Sequence, residues 1–103
     1  MAELGINRGF TDYQKMVDLD DLDIIDICAP NTVHHPGAVA ALRAGKHVLC
    51  EKPLAVSVQE VEEMIREAKK ARKHLMAAQH QRFRQDSILV KQMIDEGTFG
   101  EIY

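Results

Sequence analysis

Glu51-Lys52-Pro53 sets an amine between a carboxylate and a proline ring, directly after the apolar run His47-Val48-Leu49-Cys50. A lysine placed this way can hydrogen-bond a substrate oxygen or a cofactor amide, and once desolvated it can pass protons. Pairing with Glu51 or plain solvation is the bland alternative. Pro53 fixes its own φ and biases Lys52 away from helical geometry, so the turn is stiff. Two more polar clusters follow apolar runs in the same manner. Ala29, Pro30, Asn31 and His34 come after Ile24-Ile25-Asp26-Ile27-Cys28, and Gln79, His80, Gln81 and Arg82 come after Leu75-Met76-Ala77-Ala78. Asn31 can bind a ligand or cap a helix through its side chain. Arg82 can clamp a phosphate or carboxylate, or stand as a surface arginine beside a packed Phe83. His34-His35 leaves one ring on the rim and the other solvated. With Cys50 these histidines match no zinc spacing, so no metal site is expected.

Chemistry at three strand ends needs a scaffold that brings them to one rim. The β-branched and apolar runs predict strands over 24–28, 47–50 and 75–78. Thr11 is placed as the N-cap of a short helix from Asp12 to about Leu19. A helix of small residues runs from about His35 to Ala44, with Pro36 in its first turn and Gly45 as its stop. Ser57 and Glu60 form a capping box for a helix to about Lys73, with Val58, Val61, Met64, Ile65 and Ala68 at helical spacing. A last helix, from about Asp86 to Glu96, turns Ile88, Leu89, Met93 and Ile94 inward and stops at Gly97. The order α-β-α-β-α-β-α implies parallel strands with right-handed crossovers, an α/β fold and a piece of a doubly wound sheet. Ligands bind such sheets at the carboxyl ends of the strands. Parallel strands are normally covered on both faces, and Ile24 to Cys28 makes a poor natural edge.

Bulk properties narrow the classes. A chain of 103 residues makes one small domain, and 28% charged with 46% apolar residues is ordinary for a soluble one. A net charge of −3 with no basic stripe argues against nucleic acid or an anionic membrane surface as partner. No apolar run approaches a membrane span, and Met1-Ala2-Glu3-Leu4-Gly5 lacks a secretory pattern. Cys28 and Cys50 read as buried free thiols of a cytoplasmic protein. No Gly-x-Gly-x-x-Gly, Gly-x-Ser-x-Gly or P-loop occurs.

Four stretches together closely resemble the Gfo/Idh/MocA oxidoreductases. They are Asp26-Ile27-Cys28-Ala29-Pro30-Asn31 with His34, the run Ala44 to Ala55, Arg82-Phe83, and Gly97 with Gly100-Glu101-Ile102. The resemblance covers essentially the whole chain, and 45–54 is its most specific part. It implies an enzyme using NAD or NADP to transfer hydride at a carbinol carbon of a sugar or polyol, and a homo-oligomer. It implies a partial Rossmann fold, with residues 1–100 as the second half of the nucleotide-binding domain and 101–103 as the start of an α+β domain. Lys52 is then the catalytic lysine that orients the substrate oxygen. Ala29, Pro30, Asn31, His34, Glu51, Pro53 and Arg82 line the cofactor cleft with it. Base rates favour a trans Lys52-Pro53 bond by about 19 to 1, and the resemblance, whose matching bond is often cis, raises the odds of cis well above that. His80 stands where the family often has asparagine. The family's glycine-rich turn and ribose-gripping acid are absent, as are the aspartate and histidine that complete its catalytic set. The chain is therefore expected to be a fragment without significant turnover. The rival expectation is a binding or assembly module that pairs through its open sheet edge.

Overall fold

Residues 5–103 are described by a computed structural model of the chain. Met1 to Leu4, weighed above for a secretory signal, lie outside the described residues. Helix α1 (Tyr13–Val17) leads into strand β1 (Ile24–Ile27), helix α2 (Asn31–Arg43) and strand β2 (His47–Cys50). Helix α3 (Val58–Ala71), strand β3 (Leu75–Ala77), a 3-10 turn (His80–Phe83) and helix α4 (Gln85–Asp95) follow. The strands form one parallel sheet in the order β1-β2-β3. Ile24 stands beside His47 and Ile27 beside Cys50, while Val48 stands beside Leu75 and Cys50 beside Ala77. All three carboxyl ends therefore open on the same rim, as the α-β alternation predicts.

The core sits on one face of that sheet. Alternation turns Ile25, Ile27, Val48 and Cys50 inward, where they join Ala38, Ala41 and Leu42 of α2, Met64 and Ala68 of α3, and Val17 of α1. Side chains of opposite parity are left on the other face, where Ile24 is 61% exposed and Met76 48%. Hence, among the described residues, β1 and β3 are open edges and one face has no cover. Lys46 is buried, and its ammonium donates to the Leu19 carbonyl at 2.7 Å, tying the approach to β2 to the segment between α1 and β1.

Helix ends follow local chemistry. The Ser57 hydroxyl accepts from the Glu60 N–H at 3.2 Å, and the Glu60 carboxylate accepts from the Val56 N–H at 3.1 Å, so the expected capping pair forms one residue wider. Gly45, with φ +75°, donates to the Leu42 carbonyl while Lys46 donates to that of Ala41, closing α2 in a Schellman pattern. The cap of α1 is Asp12 rather than Thr11, its side chain accepting from Gln14 at 3.0 Å.

Two expectations about the helices need correction. Helix α2 starts at Asn31, four residues before His35, and contains Pro36. Pro36 has no N–H for the Thr32 carbonyl, but Thr32 is exposed and water can serve it. Helix α4 buries none of its residues: Leu89 is 56% exposed, and Ile88 and Ile94 are exposed too. Phe83, expected to pack, is 65% exposed. Extended backbone at Arg84 (φ −73°, ψ 144°) carries α4 away from the sheet. The radius of gyration, 17.5 Å, exceeds the roughly 13 Å of a compact chain this long.

Candidate functional site

The rim is knitted together by the backbone. The Glu51 N–H donates to the Ile27 carbonyl at 3.0 Å, joining the first two strand ends, and the Ala78 N–H donates to the Cys50 carbonyl at 2.8 Å, joining the last two. Above that ladder the Glu51 carboxylate, half-buried, accepts from the Lys52 N–H at 3.1 Å. Glu51 thus shapes the turn by holding backbone. The Lys52–Pro53 peptide is cis. Lys52 is exposed, and among the described residues no hydrogen bond or ion pair engages its ammonium. A stiff turn therefore presents an unpartnered cation at the mouth of a parallel sheet.

Other expected residues distribute unevenly around that cation. Ala29 is half-buried, Pro30 and Asn31 are exposed, and Asn31 opens α2, whose N-terminus has no side-chain cap. The capping alternative for Asn31 is not realised, and among the described residues its amide makes no hydrogen bond. His34 does not stand open on the cleft. Its ring is buried, with Nδ1 2.7 Å from the Pro53 carbonyl and Nε2 2.8 Å from that of Ala29. The early start of α2 places His34 on its first turn, facing inward between the two strand ends. His35, half-buried, pairs with Glu63 of α3 at 3.0 Å. Arg82 lies exposed in the 3-10 turn, where its N–H donates to the Gln79 carbonyl at 3.0 Å. The third cluster is on the same rim, and no hydrogen bond ties Arg82 to the Lys52 turn.

Sulfur and carboxylate chemistry add one group that the sequence reading left aside. Cys28, expected buried, is exposed, because β1 ends at Ile27 and residue 28 takes the outward parity of Asp26. Its thiol donates to the Asp26 carboxylate at 3.7 Å. Partial desolvation and the Asp26 charge push the Cys28 thiol up, which disfavours the nucleophilic thiolate. Cys50, buried beneath the rim, is pushed up to about 11, first by burial and then by Asp26. Asp26 is therefore the carboxylate just below the rim on the uncovered face, and its interruption of an apolar strand was its only sequence signal. A groove of about 340 Å³ runs along the open edge of β1, lined by Phe10, Tyr13, Ile25, Ile27 and Ala29, and does not include Lys52. Among the described residues, no cluster of three or more His, Cys, Asp or Glu is placed to hold a metal ion.

This rim, with its Ala-Pro-Asn and Glu-Lys-Pro turns, can be set against known proteins. Residues 1–79 match the model of the Gfo/Idh/MocA group, described as an oxidoreductase family with an NAD-binding Rossmann fold. The chain belongs to this family. Myo-inositol 2-dehydrogenase of Thermotoga maritima is 30% identical over 99 residues, which are 96% of this chain and 30% of that enzyme. The crystal structure of myo-inositol 2-dehydrogenase from Lactobacillus plantarum superposes with a TM-score of 0.90 at 33% identity, covering 97% of this chain and 30% of that one. Levoglucosan dehydrogenase, in complex with NADH and levoglucosan, superposes with a TM-score of 0.87 at 35% identity, covering 98% and 27%. The chain spans 20% to 30% of the length of the curated relatives it matches. As a Gfo/Idh/MocA member, it has the partial Rossmann fold expected from its sequence.

Proposed function

We propose that the chain is part of an NAD(P)-dependent oxidoreductase acting on a sugar, polyol or related carbinol, with Lys52 as the catalytic side chain. The observation that carries this reading is the unpartnered Lys52 ammonium, held on a pinned turn where three parallel strand ends converge. When bound, the nicotinamide supplies the hydride acceptor or donor. Around it, Lys52 orients the substrate oxygen by hydrogen bonding and assists its proton transfer, since an ammonium offers three donors on a flexible stem. Backbone at Ala29, Pro30 and Asn31, the Glu51 and Pro53 turn, and the exposed guanidinium of Arg82 would line the cofactor cleft. These residues suit the nicotinamide end. No Gly-x-Gly-x-x-Gly is present to cradle the pyrophosphate, so residues 1–100 would supply the second half of the nucleotide domain. The identities of the relatives support a sugar or polyol substrate. No helix among the described residues is long and apolar enough to cross a membrane, and a cytoplasmic setting is part of the proposal.

The test is an NADH titration of the 103-residue chain followed by amide NMR, with Lys52→Ala beside it. Shifts confined to 29–31, 51–54 and 79–82, and weakened in Lys52→Ala, support the reading. Shifts centred elsewhere, or none at millimolar NADH, count against it. No turnover of myo-inositol is expected from the isolated chain, and NAD⁺ reduction lost on Lys52→Ala would overturn that expectation.

A second reading rests on the open edge of β1 and the uncovered face beside it: the chain is an assembly module that pairs with itself or with a complementary half. Self-association into a homo-oligomer is part of this proposal. A stable monomer in sedimentation equilibrium at high concentration would sink it.

A further inference from the structure

We infer that His34 is the positioning residue of the Lys52 turn, a tether between the outgoing end of β1 and the residue that follows Lys52. The inference deepens the proposal above and rests on its reading of Lys52 as the working side chain. Three observations carry it. First, the His34 ring is only 1% exposed, yet each of its nitrogens faces a backbone carbonyl, Pro53 at 2.7 Å and Ala29 at 2.8 Å. A buried ring that faces a carbonyl at each nitrogen and donates to at least one of them is held in position and in rotation. Second, those carbonyls belong to two different strand ends, so the ring spans the gap that the cofactor cleft would border. Third, the Lys52 backbone is held on both sides. Glu51 is held by the ladder bond to Ile27 and Pro53 by His34, while the Lys52 side chain has no partner among the described residues. Pinned backbone under a free charged arm is what accurate placement of an ammonium requires, because an error of about 1 Å at a reacting group costs on the order of a hundredfold in rate.

The ring chemistry adds a constraint. Both partners are carbonyl oxygens, which only accept. A neutral imidazole carries one N–H and can fill one contact, while a ring with two N–H groups fills both. The tether therefore depends on donors at this position and not on bulk, which separates it from a merely packed side chain.

The experiment compares the wild-type chain, His34→Ala and His34→Gln by ¹⁵N relaxation, without ligand. In the wild type, Lys52 and Leu54 should show order parameters near the rigid value of about 0.85. In His34→Ala both should fall below about 0.6, while 60–68 in α3 stay rigid. His34→Gln keeps a donor and should give intermediate values. Unchanged order at Lys52 and Leu54 in a folded His34→Ala variant overturns the inference, as does a Gln variant indistinguishable from Ala. If His34→Ala does not fold, the wild-type ring decides. A ring Nδ1–H that persists in water and shows contacts to the Pro53 backbone supports the tether; a ring N–H that contacts only Ala29, or ring protons lost to free exchange, refutes it. Because no ligand is present, these results stand apart from the NADH titration. A tether without NADH shifts would leave His34 right and Lys52 wrong.

Discussion

Leu42→Ala set against Leu89→Ala tests where the core of this chain lies. Both leucines occupy helical positions whose spacing marks an apolar face. Leu42 on α2 is fully buried among Ala38, Ala41, Val48 and Met64, whereas Leu89 on α4 is mostly exposed. Truncating Leu42 removes three carbons, at about 0.8 kcal/mol each, or roughly 2.4 kcal/mol of transfer free energy. The cavity left in a packed interior raises the total to about 3–5 kcal/mol. Total stability for a chain of this length is on the order of 5–15 kcal/mol, so the loss is a large fraction of it. Leu89→Ala empties no cavity and gains slightly in helix propensity, so its effect should stay within about 0.5 kcal/mol. The assay is urea unfolding followed by circular dichroism. With a slope near 1.5 kcal/mol/M, Leu42→Ala should lower the midpoint by about 2–3 M or leave the chain unfolded. Leu89→Ala should move it by less than about 0.4 M. Equal shifts for the two variants would refute the one-sided core and return α4 to the folded unit.

Four other outcomes follow from the structure. Lys52→Ala should leave the unfolding midpoint unchanged within error, since its amine has no partner among the described residues to lose; a marked drop would show a structural role. Ser57→Ala should cost about 1 kcal/mol by removing the bond to the Glu60 N–H, read as a melting temperature lower by roughly 4–8 °C. Glu67 is held below the usual carboxylate range by its hydrogen bond and ion pair with Arg43. The stability it contributes is present above pH 4.5 and lost as pH falls below that, so Glu67→Gln should flatten the acid limb of a stability-versus-pH curve. Cys50, pushed up to about 11 from 9.0, favours the folded state while protonated. That contribution is complete below pH 9.0 and lost as pH rises toward 11, so Cys50→Ser should reduce the alkaline decline, and iodoacetamide should label Cys28 well before Cys50.

Strands and their shared rim were legible because β-branched runs, bounded by Ala-Pro-Asn and Glu-Lys-Pro turns, leave little else for 24–28 and 47–50 to form. The start of α2 was not, since Pro36 looks like a first-turn residue and nothing local reveals that water can serve the Thr32 carbonyl. The burial of His34 was hidden for the same reason: four residues of register decide whether that ring faces the cleft or the interior. Periodicity on α4 predicts an inward face that the structure does not bury, because spacing carries no information about whether a surface exists to receive it. Cys28 shows the same at its smallest scale: it shares the parity of Ile24 and Asp26, so it lies on the uncovered face, which the sequence does not mark as uncovered.

Strand order in this sheet is also chain order, and each pairing joins segments about two dozen residues apart. None of the described strands has to wait for a distant partner within this sheet. β2 can dock as soon as α2 has closed over β1, and β3 as soon as α3 has closed over β2. The closure entropy is met in two modest steps instead of one long one. A chain leaving the ribosome amino end first would thus lay the sheet down in sequence, with the Lys52 turn already framed before α4 is synthesised.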